Sequence, residues 1–349
     1  ALVDVRDGEA TKRCELLSRN AQWFEDNCPI SPLYKKTEVK GISAKVVDAL
    51  CLAGDNFPTP PIGINLPNSD WIRKEHGSKS VNIANLAHAY ENAAMEKPQS
   101  VLEEFAYTEE EKQRAKEYAT LSNDLHTDMH ECLGHGSGKL LPQTDQNALR
   151  EYSSTLEEAR ADLFALYFMF DDKMIELGLI PNFEVAKEAY DSYIRNGLLT
   201  QLTRIEEGKD LTEAHMQARK LIAEYAYENS EAVARKTENG KTYFTITDYK
   251  ALRKVFGELL AIIQDIKSTG NYAKGKDLVE KYGVKIDKEL HKQVIERYRK
   301  LDLRAYGGFV NLEMEAIRNG KGEITDYKLQ YPESFLSQML HYGKTYSFD

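Results

Sequence analysis

The stretch His130-Glu131-Cys132-Leu133-Gly134-His135 sets two imidazoles five residues apart around a carboxylate. At about 100° per residue, helix positions four apart point within ~40° of one another, whereas positions five apart diverge by ~140°. A regular helix therefore cannot aim both rings at one point. The stretch is the H-E-x-x-H metal motif with one residue added. It serves a single metal only if the helix widens locally into a π-type turn, a distortion found mostly at functional sites. Gly134, Gly136 and Gly138 then end that helix. A phosphate-loop reading of these glycines fails, because a Walker motif needs glycine where Leu133 stands.

A catalytic zinc takes three protein ligands and keeps a fourth position for water, so one ligand must come from elsewhere. Leu156-Glu157-Glu158-Ala159-Arg160-Ala161-Asp162-Leu163 carries three acids, and the apolar run Leu163 to Phe170 continues it. These acids sit on a helix entering a core, where carboxylates need a cation. His126, four residues before His130, leaves open a second metal pair that needs no bulge.

H-E-C-L-G-H-G-S-G-K followed by E-E-A-R-A-D resembles the paired signature of the dipeptidyl peptidase III family of zinc exopeptidases, whose peculiarity is the five-residue histidine gap. Gly63-Ile64-Asn65-Leu66-Pro67-Asn68, Ala214-His215-Met216-Gln217-Ala218-Arg219 and Lys267-Ser268-Thr269-Gly270 extend the likeness in the family's order. The resemblance implies one zinc ion held by His130, His135 and Glu158, with Glu131 as general base toward water. Glu157 and Asp162 would accept the remaining N–H groups of the imidazoles and fix their tautomers. Asp162 stands where the family more often carries Glu, which shortens its reach. His215 would stabilise the oxyanion. Taken alone, His215 reads as an ordinary part-buried histidine. Arg219, four residues on and on the same helix face, either orients substrate or pairs with an acid. Gly63, Asn65 and Asn68 lie in a proline-bounded extended segment. There the resemblance implies that they hold the N-terminal end of a peptide added as an edge strand; as turn residues the two asparagines would do nothing of the kind.

Helical patterning dominates, as in the stripe Tyr118, Leu121, Leu125 and Met129. Further helices are expected over 8–26, 81–96, 183–199, 211–228, 248–266 and 287–302, with one hairpin, 232–236 and 242–247, turning at Glu238-Asn239-Gly240. The expected fold is mainly α. A helical zinc-binding lobe takes 1–46 and 95–299, and segments 47–94 and 300–349 contribute a small mixed α/β portion of a second, peptide-binding lobe. Only about sixty residues precede Gly63, so the family's β-barrel lobe is expected to be largely absent. The family's acidic anchor for a free amine would then lie upstream of Ala1, and a missing N-terminal half would complete the cleft.

The net charge of −10 argues against nucleic-acid and anionic-membrane partners, and no apolar run approaches the ~20 residues of a membrane span. Cys14, Cys28, Cys51 and Cys132 form no C-x-x-C pair, and Cys132 sits between the histidines, which favours a reducing, cytoplasmic compartment. The start at Ala1 without methionine leaves a removed leader open. The expected function is a zinc-dependent dipeptidyl aminopeptidase domain that acts on short peptides and works poorly without the missing half. The alternatives are a zinc endopeptidase or amidase without an amine anchor, and a non-catalytic peptide-binding module.

Overall fold

A computed structural model of the chain describes residues 1–39, 43–57, 61, 63–66, 79–86, 88–89, 100–303 and 309–347. Asn68 and much of the helix expected over 81–96 lie outside the described residues. The chain opens with β1 (Leu2–Arg6), α1 (Gly8–Arg19), α2 (Ala21–Asn27), β2 (Ser43–Leu52), β3 (Gly63–Leu66) and β4 (Lys79–Ile83). A helical body follows: α3 (Val101–Phe105), α4 (Glu109–Met129), α5 (Ser153–Met169), α6 (Asp172–Glu176), α7 (Glu184–Leu198) and α8 (Ala214–Asn229). The hairpin β5 (Val233–Glu238) and β6 (Lys241–Ile246) leads to α9 (Tyr249–Thr269), α10 (Tyr272–Val279) and α11 (Lys288–Lys300). Last come β7 (Glu313–Arg318), β8 (Ile324–Gln330) and α12 (Phe335–Tyr346).

The fold is mainly helical, and the described strands form no barrel. Helix α5 is buried around nearly its whole circumference, from Leu156 and Ala159 through Ala161, Leu163 and Phe164. A helix apolar on all sides belongs in the middle of a protein, and α4, α7, α8 and α9 pack around it. Helix α4 begins at Thr108, whose hydroxyl accepts from the Glu111 amide, and Glu109, Glu110 and Glu111 complement the positive end of its dipole. It is this well-started helix that runs into His130.

Two expected helices differ. The one over 8–26 breaks at Asn20, whose side-chain amide donates to the Leu16 carbonyl and draws the chain out of helical geometry. Residues 81–83 of the other belong to β4, where the alternation Val81-Asn82-Ile83 fully buries Ile83 and pairs in parallel with β2.

The strands of the main sheet lie in the order β1-β2-β4-β3, with β2 and β4 parallel and both outer pairs antiparallel. The sheet has its own small core of Val47, Ala49, Leu52, Ile83 and Leu86, separate from the large core of the helical body. The expected boundary at residue 47 falls inside β2, and β1 joins the same sheet. Asn311 ties the C-terminal segment to this sheet, exchanging hydrogen bonds with both backbone groups of Leu52. Among the described residues no helix is long and apolar enough to cross a membrane.

Candidate metal centre

Helix α4 does widen where the spacing requires it. The amide of His135 donates to the carbonyl of His130 at 3.1 Å, five residues back, and His130–Gly134 form a π-turn. The two imidazoles come to lie with centroids 4.6 Å apart and planes at 88°. Gly134 allows the bulge to press against α5, since a Cβ there would meet the Cα and carbonyl oxygen of Ala161 at 2.9 Å. That contact carries the acidic helix up to the histidines.

Oε2 of Glu158 lies 3.2 Å from Nε2 of His130, 3.9 Å from Nε2 of His135 and 3.5 Å from Nε2 of His215. The oxygen is buried and has no hydrogen-bond partner among the described residues. Ligand atoms of His130, Glu131 and His135 gather within 4.8 Å of one another, and no described residue hydrogen-bonds the Glu131 carboxylate. Burial acts to raise the pKa of Glu158, but the surrounding imidazoles outweigh it and hold the group below its ordinary value.

The opposite ring nitrogens are engaged. Nδ1 of His130 lies 2.7 Å from Oδ1 of Asp162, so the aspartate's shorter reach suffices. Asp162 also holds Nε2 of His126 at 3.0 Å and accepts from the Tyr193 hydroxyl at 2.7 Å. Nδ1 of His135 lies 2.8 Å from Oε1 of Glu157, and Arg160 and Lys267 grip the same carboxylate. Burial opposes ionisation of both acids, yet His126 and His130 hold Asp162, and Arg160, His135 and Lys267 hold Glu157, well below the usual carboxylate range. Burial likewise acts to lower His130, but Asp162 and Glu158 lift it to about 10.

His126, His130 and Asp162 also approach within 4.8 Å, so the rival set without a bulge exists in space. Its atoms already satisfy one another. The orphaned oxygen belongs to Glu158, and a cation among Glu158, His130 and His135 would answer it; the donor set of two imidazoles and a carboxylate suits zinc.

His215 is 62% exposed on its side chain; Glu213 holds its Nδ1 at 2.7 Å and leaves Nε2 toward Glu158. Arg219 donates to Gln201 at 3.2 Å, and no acid pairs with it among the described residues. Gly63 and Asn65 lie on β3 at the margin of the described sheet. Tyr193 escaped the sequence reading because a lone tyrosine on a helix carries no signal. Arg160 and Lys267 stood inside recognised motifs but without an assigned partner.

The chain is 26% identical over 328 residues to human dipeptidyl peptidase 3, covering 82% of this chain and 43% of that protein. It is 30% identical over 233 residues to Nudix hydrolase 3 of Arabidopsis thaliana, covering 65% of this chain and 28% of that one. The solved DPP III of Caldithrix abyssi shares the fold, with a TM-score of 0.70 at 24% identity over 86% of this chain and 55% of the other. The chain thus spans less than half the length of these two curated relatives. The sequence model of peptidase family M49 matches residues 1–152 and 142–301. Those two overlapping matches take in the π-turn, the acidic helix and His215 alike, and on them the chain belongs to peptidase family M49.

Proposed function

We propose that this chain is the metal-bearing part of a zinc-dependent dipeptidyl aminopeptidase, which removes dipeptides from the N-terminus of short peptides. The observation that carries the reading is the buried, unpartnered Oε2 of Glu158 facing three imidazole nitrogens. His130, His135 and Glu158 hold one zinc ion, and Asp162 and Glu157 fix the tautomers of the two rings. Zinc bound there supplies Lewis-acid polarisation and lowers the pKa of water to around 7. Glu131, without a hydrogen-bond partner among the described residues, takes the proton of the attacking water and passes it to the leaving amine. His215 stabilises the oxyanion through Nε2. Arg219, with no acid partner among the described residues, orients the peptide. Gly63 and Asn65, on β3, and Asn68 beyond the described part of that strand hold the peptide's N-terminal end, and the outer margin of β3 is unpaired in the described sheet.

Residues 1–46 and 95–299 form the zinc lobe and segments 47–94 and 300–349 form part of the peptide-binding lobe, save that β1 and the start of β2 pair within the sheet of the latter. A further portion of the protein, of the kind its longer relatives carry, completes the cleft, and the compartment is the reducing cytoplasm. Zinc content and the hydrolysis of free and N-acetylated pentapeptides test this together. One zinc per chain, release of dipeptides from the free peptide alone, and loss of at least about 10²-fold in Glu131→Gln are expected. Equal cleavage of the acetylated peptide points to an endopeptidase. Peptide binding without turnover, unchanged in Glu131→Gln, points to a binding module.

A further inference from the structure

The proposed centre leaves Lys267-Ser268-Thr269-Gly270, the end of α9, without a task. Lys267 extends Nζ to 2.7 Å from Oε2 of Glu157. Ser268 donates from Oγ to the Lys139 carbonyl at 2.7 Å, and its own carbonyl accepts from the Leu141 amide at 2.9 Å and the Thr144 hydroxyl at 2.7 Å. Thr269 turns back to its own helix, to the Asp265 carbonyl. Gly270 adopts φ 66°, and a Cβ there would stand 2.8 Å from Ala148 and 2.9 Å from Thr144. The tetrapeptide therefore fastens the 139–148 loop, which connects the histidine turn to α5.

Glu157 is the joint of this arrangement. Its Oε1 meets Nδ1 of His135 at 2.8 Å and Arg160 Nη2 at 2.6 Å; its Oε2 meets Arg160 Nε at 3.1 Å and Lys267 Nζ at 2.7 Å. A carboxylate offers about four acceptor positions, so this one is fully occupied. Arg160 sits three residues on along the same helix and moves with Glu157. Lys267 comes from α9 and fixes the carboxylate against a different element.

We propose that Lys267 is a positioning residue for His135: by anchoring Glu157 it sets the tautomer and aim of the ring, and through them the metal affinity of the centre. The inference rests on the zinc reading above. Outer partners of this kind change metal affinity by about 10–100-fold.

The test titrates zinc alone into the 349-residue chain against a competing chelator and records the visible spectrum of the cobalt-loaded chain. Lys267→Met keeps the aliphatic stem and removes the charge. It is expected to weaken zinc binding about 10–100-fold and shift the cobalt bands, while Lys267→Arg stays within about threefold of the parent. Glu157→Gln, of similar shape but without the charge that Lys267 answers, is expected to change both readouts in the same direction as Lys267→Met. Thermal midpoints of the metal-free variants show that each is folded. A folded Lys267→Met with the parent's zinc constant and cobalt spectrum overturns the role of Lys267 alone. A parent chain that takes up no zinc overturns the metal reading, and this inference with it.

Discussion

At the scale of single residues, the geometry around the two histidines was legible where it depended on local spacing. Five residues between His130 and His135 demand a bulge if both rings are to face one point, and the bulge is present. The partners that hold the acids were not legible. Tyr193 and Lys267 meet Asp162 and Glu157 across long stretches of chain, and no local pattern encodes such pairings. Glu188 on α7 is a second buried feature that its sequence context did not announce. It is 2% exposed and one of its oxygens is unpartnered. Burial first, and then Asp191 and Glu111, raise its pKa to about 8 against the pull of Arg195 and Arg114. The folded state thus binds this proton more tightly than the unfolded chain does. Its contribution to stability is full below the ordinary value of 4.5 and is lost as pH rises through about 8. Asp191, raised to about 6 chiefly by burial, adds to the same trend. Glu188→Gln should therefore decline less in urea-unfolding stability than the parent between pH 5 and 9. Equal pH slopes for the two proteins would contradict this.

At the scale of elements, most helices and the local hairpin were legible, and the long-range strand pairing was not. Helices α7, α8, α9 and α11 fall within a few residues of their expected ranges, because their apolar stripes and caps are local. The hairpin β5–β6 was equally plain, its turn at Asn239 and Gly240 taking positive φ at both positions. Strands β2 and β4 pair in parallel across a long connection, and such a pairing leaves little trace in either segment. The π-turn and α5 act as one unit, because Gly134 packs directly on the backbone of Ala161. Adding one methyl group in Gly134→Ala forces them apart. A loss of about 1–3 kcal/mol in chemical denaturation is expected, typical of overpacking, together with weaker zinc uptake. A variant as stable as the parent would show that the contact is loose.

At the scale of the whole molecule, exposed apolar side chains gather on the last hairpin and helix. Met314, Ile317, Ile324, Tyr327 and Leu329 on β7 and β8, with Leu336 and Leu340 on α12, are all exposed. A two-stranded hairpin is marginal by itself, and its exposed apolar side chains fall on both faces, Met314, Tyr327 and Leu329 on one and Ile317 on the other. This supports the reading that more of the protein covers the surface. Ile317→Lys with Leu329→Lys should leave unfolding stability within about 0.5 kcal/mol and reduce self-association in sedimentation. A large drop in stability would mean that these side chains serve the fold already present.

Strand β3 has a consequence of its own. One row of its amides and carbonyls meets β4, and in the described sheet the other row meets nothing. Such a margin does not discriminate by length: a short oligomer of amino acids and the matching strand of a neighbouring copy offer it the same ladder. Self-pairing and peptide docking would then compete for one rail, so a concentrated solution should take up less added peptide, and excess peptide should oppose self-association.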